Sequence, residues 1–308
     1  MRVVSLLPAA TEIVCALGAE AELVGVSHEC DYPRGLTLRG VPALTRPRID
    51  LGDLGGSSLD IDRAVRRAAA DALGIYLVDV ELLSRVRPEL IVTQDLCEVC
   101  AVSLEDVKSA VSRWVGRERV EIVSLHPTRL GDVLDDVERV GAALGRNREA
   151  AALRASMSAR FAAIRERAQQ APVRPRCATL EWLEPMMLGG TWMPELVELA
   201  GGVALGAAPG TPAPTLTPEG LAALRPEVVL IKACGFSLER ALSELSIIER
   251  DVLGPLGGSA RVYVTDGNAF FNRSGPRLVE SLEILAACLH PELFRDFAEA
   301  HTEALRRL

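Results

Sequence analysis

Residues 128–170 read TRLGDVLDDVERVGAALGRNREAAALRASMSARFAAIRERAQQ, with no proline between Pro127 and Pro172. Apolar residues recur at helical spacing: Leu130, Val133, Leu134, Val137, Val140 and Leu144, then Leu153, Met157, Phe161 and Ile164. Gly145 and Asn147 mark a break, so the stretch predicts two helices. The second is about 22 residues long and spans about 33 Å, roughly the width of a small domain. Two readings stand. The segment is a stiff strut joining two lobes, or it is an ordinary crossover helix inside one domain.

On the amino-terminal side, Arg2–Leu6 reads as a strand, Pro8–Gly18 as a helix and Leu23–Ser27 as a second strand. Asp60–Leu73 is helical, with Asp60 or Ser58 as its cap. The same alternation resumes after the central run. It predicts an α/β fold with central, mostly parallel sheets covered on both faces. Residues 1–127 would form an amino-terminal lobe, 128–171 the bridging helices and 172–308 a carboxyl-terminal lobe.

Two internal echoes favour two lobes. Residues 83–92 read LSRVRPELIV and residues 221–230 read LAALRPEVVL, each a helix end, an Arg-Pro-Glu turn and a buried strand. Glu12-Ile13-Val14 with Leu17-Gly18 is echoed by Glu195-Leu196-Val197 with Ala200-Gly201. The echoes lie further apart in the first half, and the excess falls between Tyr32 and Leu77. The plainer explanation is that helix–proline–strand junctions recur in any α/β protein, because proline suits such turns.

Hydrophobic residues make up 49% of the 308, enough for a substantial core. A net charge of −8 and a pI near 5.2 argue against a nucleic-acid binder, which needs a basic face. Apolar runs are broken well short of the roughly 18 residues that a membrane span requires, so the chain is not membrane-embedded. Val3, Val4, Leu6, Leu7, Ala9 and Ala10 could pass for a signal core, and Cys15 for a lipoprotein cysteine. Pro8 and Glu12 interrupt that run. The expectation is a cytoplasmic chain as given, or a periplasmic or surface-anchored one if a leader has been removed.

In an open α/β sheet, ligands sit beyond the carboxyl ends of the strands. That rule selects the loops 5–11, 27–32, 94–100, 181–185, 189–192, 233–236 and 266–273. Most of the scarce Trp and Phe residues fall in them, which suits a large, flat, partly apolar ligand. Cys97 and Cys100 have C-x-x-C spacing. They read as a redox dithiol, as half of a metal site completed by His28 or Cys30, or as passive thiols beside a ligand, the last being preferred. His28 could ligate a metal axially through its imidazole or be a hydrogen-bonded loop residue. His126, before Pro127, reads as structural. Cys15 and Cys288 lie in helical apolar patterns and read as core. No phosphate loop, dinucleotide fingerprint, nucleophile elbow or Ser/His/Asp set is visible, which favours a binder over an enzyme.

The run Ser5-Leu6-Leu7-Pro8-Ala9-Ala10-Thr11-Glu12 followed by Leu23-Val24-Gly25-Val26-Ser27 resembles the opening of cobalamin- and siderophore-binding proteins of ABC importers. The paired Arg-Pro-Glu echoes and Gly275–Leu282 fit the same family. The closer likeness is to a cobalamin-binding-protein-like branch carrying His-Glu-Cys-Asp-Tyr-Pro at 28–33 and the Cys97/Cys100 loop. The resemblance covers nearly the whole chain. It implies two α/β lobes bridged by one long helix, little hinge opening, and a ligand in the cleft between the lobes. It also implies an ABC importer permease as partner. The ligand would be cobalamin or a related corrinoid, with another metal chelate (haem or an iron siderophore) as the alternative. A cytosolic metal- or thiol-dependent protein using Cys97 and Cys100 is a third reading. Carried over by position, the ligand contacts would be Pro8, His28, Tyr32, Gln94, Trp182, Glu184, Trp192, Phe270, Phe271 and Arg273. His28 and Cys30 could reach cobalt, and a metal ion could sit at the cysteine loop.

Overall fold

The computed structural model describes residues 1–35, 40–48, 56–70, 76–95, 108 and 120–308. The chain divides into two compact units. The first comprises Met1–Gly56, Arg63–Pro127 and Gly131–Ser156; the second comprises Ser57–Asp62, Thr128–Leu130 and Met157–Leu308.

The first unit is built on a four-stranded parallel sheet in the order β2-β1-β5-β6, from β1 (Val3–Ser5), β2 (Leu23–Val26), β5 (Leu90–Gln94) and β6 (Glu121–Leu125). A separate antiparallel pair joins β3 (Thr45–Pro47) to β4 (Tyr76–Val78). The four apolar and β-branched residues that open β5 are all buried, as a parallel strand covered on both faces requires. On one face Val4, Leu6, Leu44, Leu83 and Ile91 form a core cluster. Helices α1 (Pro8–Ala16), α2 (Ser58–Ala70) and α3 (Val80–Val86) belong to this half of the chain.

The second unit holds a larger sheet, β12-β11-β10-β7-β8, from β7 (Arg176–Trp182), β8 (Met187–Leu188), β10 (Val228–Ile231), β11 (Arg261–Thr265) and β12 (Leu305–Arg307). β7, β10 and β11 run parallel; β8 and β12 pair antiparallel at the edges. β9 (Val203–Ala204) adds a short parallel pairing to the start of β7. One continuous core joins Leu180, Val229, Ile231, Val262 and Val264 to Leu221, Ile248 and Val252 from the covering helical segments.

The sequence echoes are built with the same hydrogen bonds in both units. Helix α3 ends on Arg87 in the left-handed region (φ 44°), and the helix α7 (Pro218–Ala223) leads to Arg225 in the same conformation (φ 47°). Proline follows each, so the helix cannot continue. Arg2 Nε donates to the Arg87 carbonyl at 2.6 Å, and Arg176 Nε to the Arg225 carbonyl at 3.2 Å. Glu89 accepts from the Arg2 backbone N–H at 2.7 Å, and Glu227 from that of Arg176 at 2.9 Å. These contacts lie at the amino ends of the strands, where they align sheet and helix. The second echo is likewise physical. Gly18 (φ 73°) and Gly201 (φ 82°) end α1 and α6 (Met193–Leu199), where only glycine enters the left-handed region at no steric cost.

Between the echoes lie α4 (Leu130–Ala143) and α5 (Asn147–Ala168), separated at Gly145 (φ 68°). α5 is 22 residues long, and its buried side chains are Ala150, then Met157, Phe161, Ile164 and Ala168. Residues 151–156 carry no fully buried side chain, and the division between the units falls directly after them. Leu153, part of the apolar helical pattern, is half-buried. Arginines fix each part of the helix: Arg154 to Asp135 and Glu138, Arg160 to Glu280 and Glu283, and Arg167 to Asp296. The last three partners lie on α9 (Leu278–Leu289) and α10 (Arg295–Ala300), which follow α8 (Leu238–Leu242). Among the described residues no helix is long and apolar enough to cross a membrane.

Candidate functional site

In the first unit the carboxyl end of the sheet carries Pro8, His28, Tyr32, Gln94, Asp95 and His126. Pro8 is the first residue of α1, where its missing N–H costs nothing, and it is half-buried. Tyr32 is 44% exposed and Gln94, the last residue of β5, is half-buried. His28 is held inward. Its Nδ1 lies 2.7 Å from Thr45 Oγ1, and its ring meets Tyr76 edge-on at 5.0 Å. Nε2 is enclosed, 3.2 Å from Glu29 Oε1 without a hydrogen bond to it.

Cys30 faces the interior as well. It is 4% exposed, and its Sγ lies 3.0 Å from Thr11 Oγ1, which donates to Ser5 Oγ at 2.7 Å. Cys97 and Cys100 lie outside the described residues. Among the described residues no group of three His, Cys, Asp or Glu side chains is placed to hold a metal ion.

His126 was read from sequence as structural. Its side chain is 57% exposed, with Nδ1 at 2.8 Å from Oδ1 of Asp95. Asp95 and His126 follow β5 and β6 directly, and neighbouring strand ends bring them together.

In the second unit the strand ends are cross-linked by a buried amine. Lys232 is 1% exposed and donates to Glu181 Oε2 at 3.1 Å and to Asn272 Oδ1 at 2.8 Å. Asn272 in turn donates to the carbonyls of Lys232 and Gly267, and Glu181 accepts from the Gly190 backbone N–H. A buried ammonium survives only with such partners. The sequence showed merely a lysine after an apolar strand, and pairing across three loops left no local signal.

The aromatic contacts expected in this unit divide into two sets. Trp182 is half-buried against Phe236, with ring centroids 5.1 Å apart, and its Nε1 donates to the carbonyls of Ser58 and Glu184. Phe270 is half-buried, edge-on to His301 at 5.9 Å and under the Arg277 guanidinium at 4.7 Å. Glu184 is half-buried and faces Arg250. Trp192 and Phe271, by contrast, are core residues. They are 6% and 0% exposed, and Trp192 Nε1 donates to the Phe271 carbonyl at 3.0 Å. Arg273 is 5% exposed and donates to Asn268 Oδ1 at 3.3 Å. Burial leaves these three little surface for a ligand. The strand-end rule locates the loops but does not say which side chain of each loop turns inward.

Other ionisable groups are set by burial. Asp136 is 2% exposed, its pKa is pushed up to about 6 by desolvation against the pull of Arg139, and its Oδ2 has no hydrogen-bond partner. Burial pushes the Cys177 thiol up to about 12 and that of Cys288 well above its ordinary value, so both are inert. Cys288 is buried core, as expected, and Cys15 is half-buried.

A model of the family described as periplasmic binding protein matches residues 3–253. An uncharacterised ABC transporter substrate-binding lipoprotein, YvrC of Bacillus subtilis (strain 168), is 22% identical over 306 residues, covering 96% of this chain and 82% of that protein. A periplasmic haem-binding protein from Pseudomonas aeruginosa superposes with a TM-score of 0.68 at 21% identity, covering 94% of this chain and 93% of that one. The periplasmic vitamin B12-binding protein BtuF of Vibrio cholerae superposes with a TM-score of 0.63 at 17% identity, covering 97% and 98%. With most of its length matched by the family model and a doubled α/β architecture to accompany it, the chain belongs to the periplasmic binding protein family, whose members bind substrates and are not enzymes.

Proposed function

We propose that this protein captures cobalamin or a related corrinoid and delivers it to an ABC importer permease. The observation that carries the reading is the match over nearly the whole chain to proteins of this fold, one of which is named for vitamin B12. The half-exposed strand-end aromatics Tyr32, Trp182 and Phe270 add to it, because they offer flat apolar surface beside polar groups. A second reading, haem or another metal chelate, is favoured by the similarity to a haem-binding protein of comparable TM-score. Of the two locations open from sequence, the lipoprotein relative supports the periplasmic or surface-anchored one over the cytoplasmic one. Competition decides between ligands. Protein loaded with aquocobalamin, followed by absorbance, should keep it against ferric haem and a ferric siderophore. Displacement by stoichiometric haem would overturn the corrinoid reading in favour of the second.

A further inference from the structure

We infer that His126, oriented by Asp95, is an axial ligand to the metal of the bound chelate, and that the substrate class is therefore a chelate with an exchangeable axial position. This rests on the chelate-binding reading above. The carboxylate of Asp95 only accepts hydrogen bonds, so the Nδ1 that it holds at 2.8 Å carries the proton. Nε2 is left as the basic nitrogen, on the far edge of a ring that is 57% exposed. A carboxylate behind an imidazole fixes the tautomer and ring direction, as it does for histidines that bind metals. As a stabilising contact an exposed pair of this kind is worth little.

The described residues include all four histidines, and the other three are otherwise engaged. His28 has Nδ1 on Thr45 and an enclosed Nε2. His290 turns Nε2 to the Gly201 carbonyl at 3.3 Å, and His301 turns Nε2 to Glu283 at 2.9 Å. Place and backbone agree with the assignment. His126 follows β6 at the carboxyl edge of the sheet, and the Asp95 N–H is tied to the Leu125 carbonyl at 3.1 Å, which fixes the carboxylate against the ring. One imidazole cannot hold a free ion, which needs several protein ligands. It can complete a metal already held in a planar chelate. The Nε2 lone pair replaces an axial water, the water leaves, and no oxidation state changes. A chelate whose ligand already fills every coordination position gains nothing from it.

The test separates coordination from binding. Tryptophan fluorescence reports binding of aquocobalamin and of ferric haem, and absorbance reports the axial ligand. The wild type should show an imidazole-ligated spectrum with at least one of these chelates. His126→Ala should bind that chelate roughly tenfold or more weakly and without that spectrum, while Asp95→Asn should keep the spectrum and lose roughly tenfold in affinity. Dicyanocobinamide, whose axial positions are filled, should bind wild type and His126→Ala equally. Binding with the same spectrum in wild type and His126→Ala would overturn the axial role and leave the chelate reading standing. Failure of every chelate to quench would overturn both.

Discussion

Two buried charges show how single residues are held. Lys232 donates to Glu181 and Asn272, so its removal strands a carboxylate and an amide. Lys232→Ala should cost about 3–5 kcal/mol in chemical denaturation, the usual penalty for breaking one side of a buried pair. Asp136 works in the opposite sense. Its folded pKa, about 6, lies above the ordinary 3.8, so its contribution is fully present below the unfolded value and is lost as pH rises through the folded one. Asp136→Asn should therefore gain on the wild type as pH rises from about 4 to about 7.5, by up to about 3 kcal/mol, read by urea denaturation at both pH values. A gap independent of pH would show that Asp136 is not held protonated by burial. At this scale the sequence was least informative. Trp192 and Phe271 sit in loops that ligands favour, yet a bond from the indole to the Phe271 carbonyl turns both into core. Asp95 and His126 are 31 residues apart, and only the parallel register of β5 with β6 brings them together.

The elements are fixed at their ends. Ser57 and Asp60 form a capping box at the start of α2, with Asp60 accepting from the Ser57 N–H at 3.1 Å and from its hydroxyl at 3.0 Å. The sequence placed the cap at Asp60 or Ser58, three residues and one residue beyond the observed Ser57. The buried Glu244 then accepts from Ser58 N and Oγ, a carboxylate on a helix N-terminus. Glu195 does the same for α4, accepting from Leu130 N at 2.8 Å and from Arg129. Both contacts come from residues remote in sequence, so no local pattern announced them, and they explain why Ser57–Asp62 and Thr128–Leu130 belong to the second unit. Glu244→Ala and Glu195→Ala should each lower stability by about 1–2 kcal/mol, while conservative Gln variants keep most of it. The Arg-Pro-Glu turns, in contrast, were legible, because a left-handed residue, a proline and an acceptor are written consecutively. Glu89→Ala and Glu227→Ala should cost similar amounts, about 1 kcal/mol each, since both make the same bond in their own unit. A large difference between the two would mean that the repeated turn is similar in sequence only.

At the scale of the molecule, the run from 128 to 170 is what the fold turns on. Its second helix buries Ala150 near its start and Met157, Phe161, Ile164 and Ala168 along its carboxyl-terminal half, with Leu153 half-buried between them. Periodicity and the doubled motifs made the α/β class and its mostly parallel sheets readable. They could not divide α2 or α4 between units, since that depends on contacts far along the chain. Ligand chemistry was read mainly through family resemblance, because binding here uses scattered loop side chains rather than a contiguous motif. Equilibrium dialysis of the purified protein at micromolar concentration against cobalamin tests the central claim most directly. The account expects saturable binding of the corrinoid; no retention of cobalamin or of any other corrinoid would contradict it.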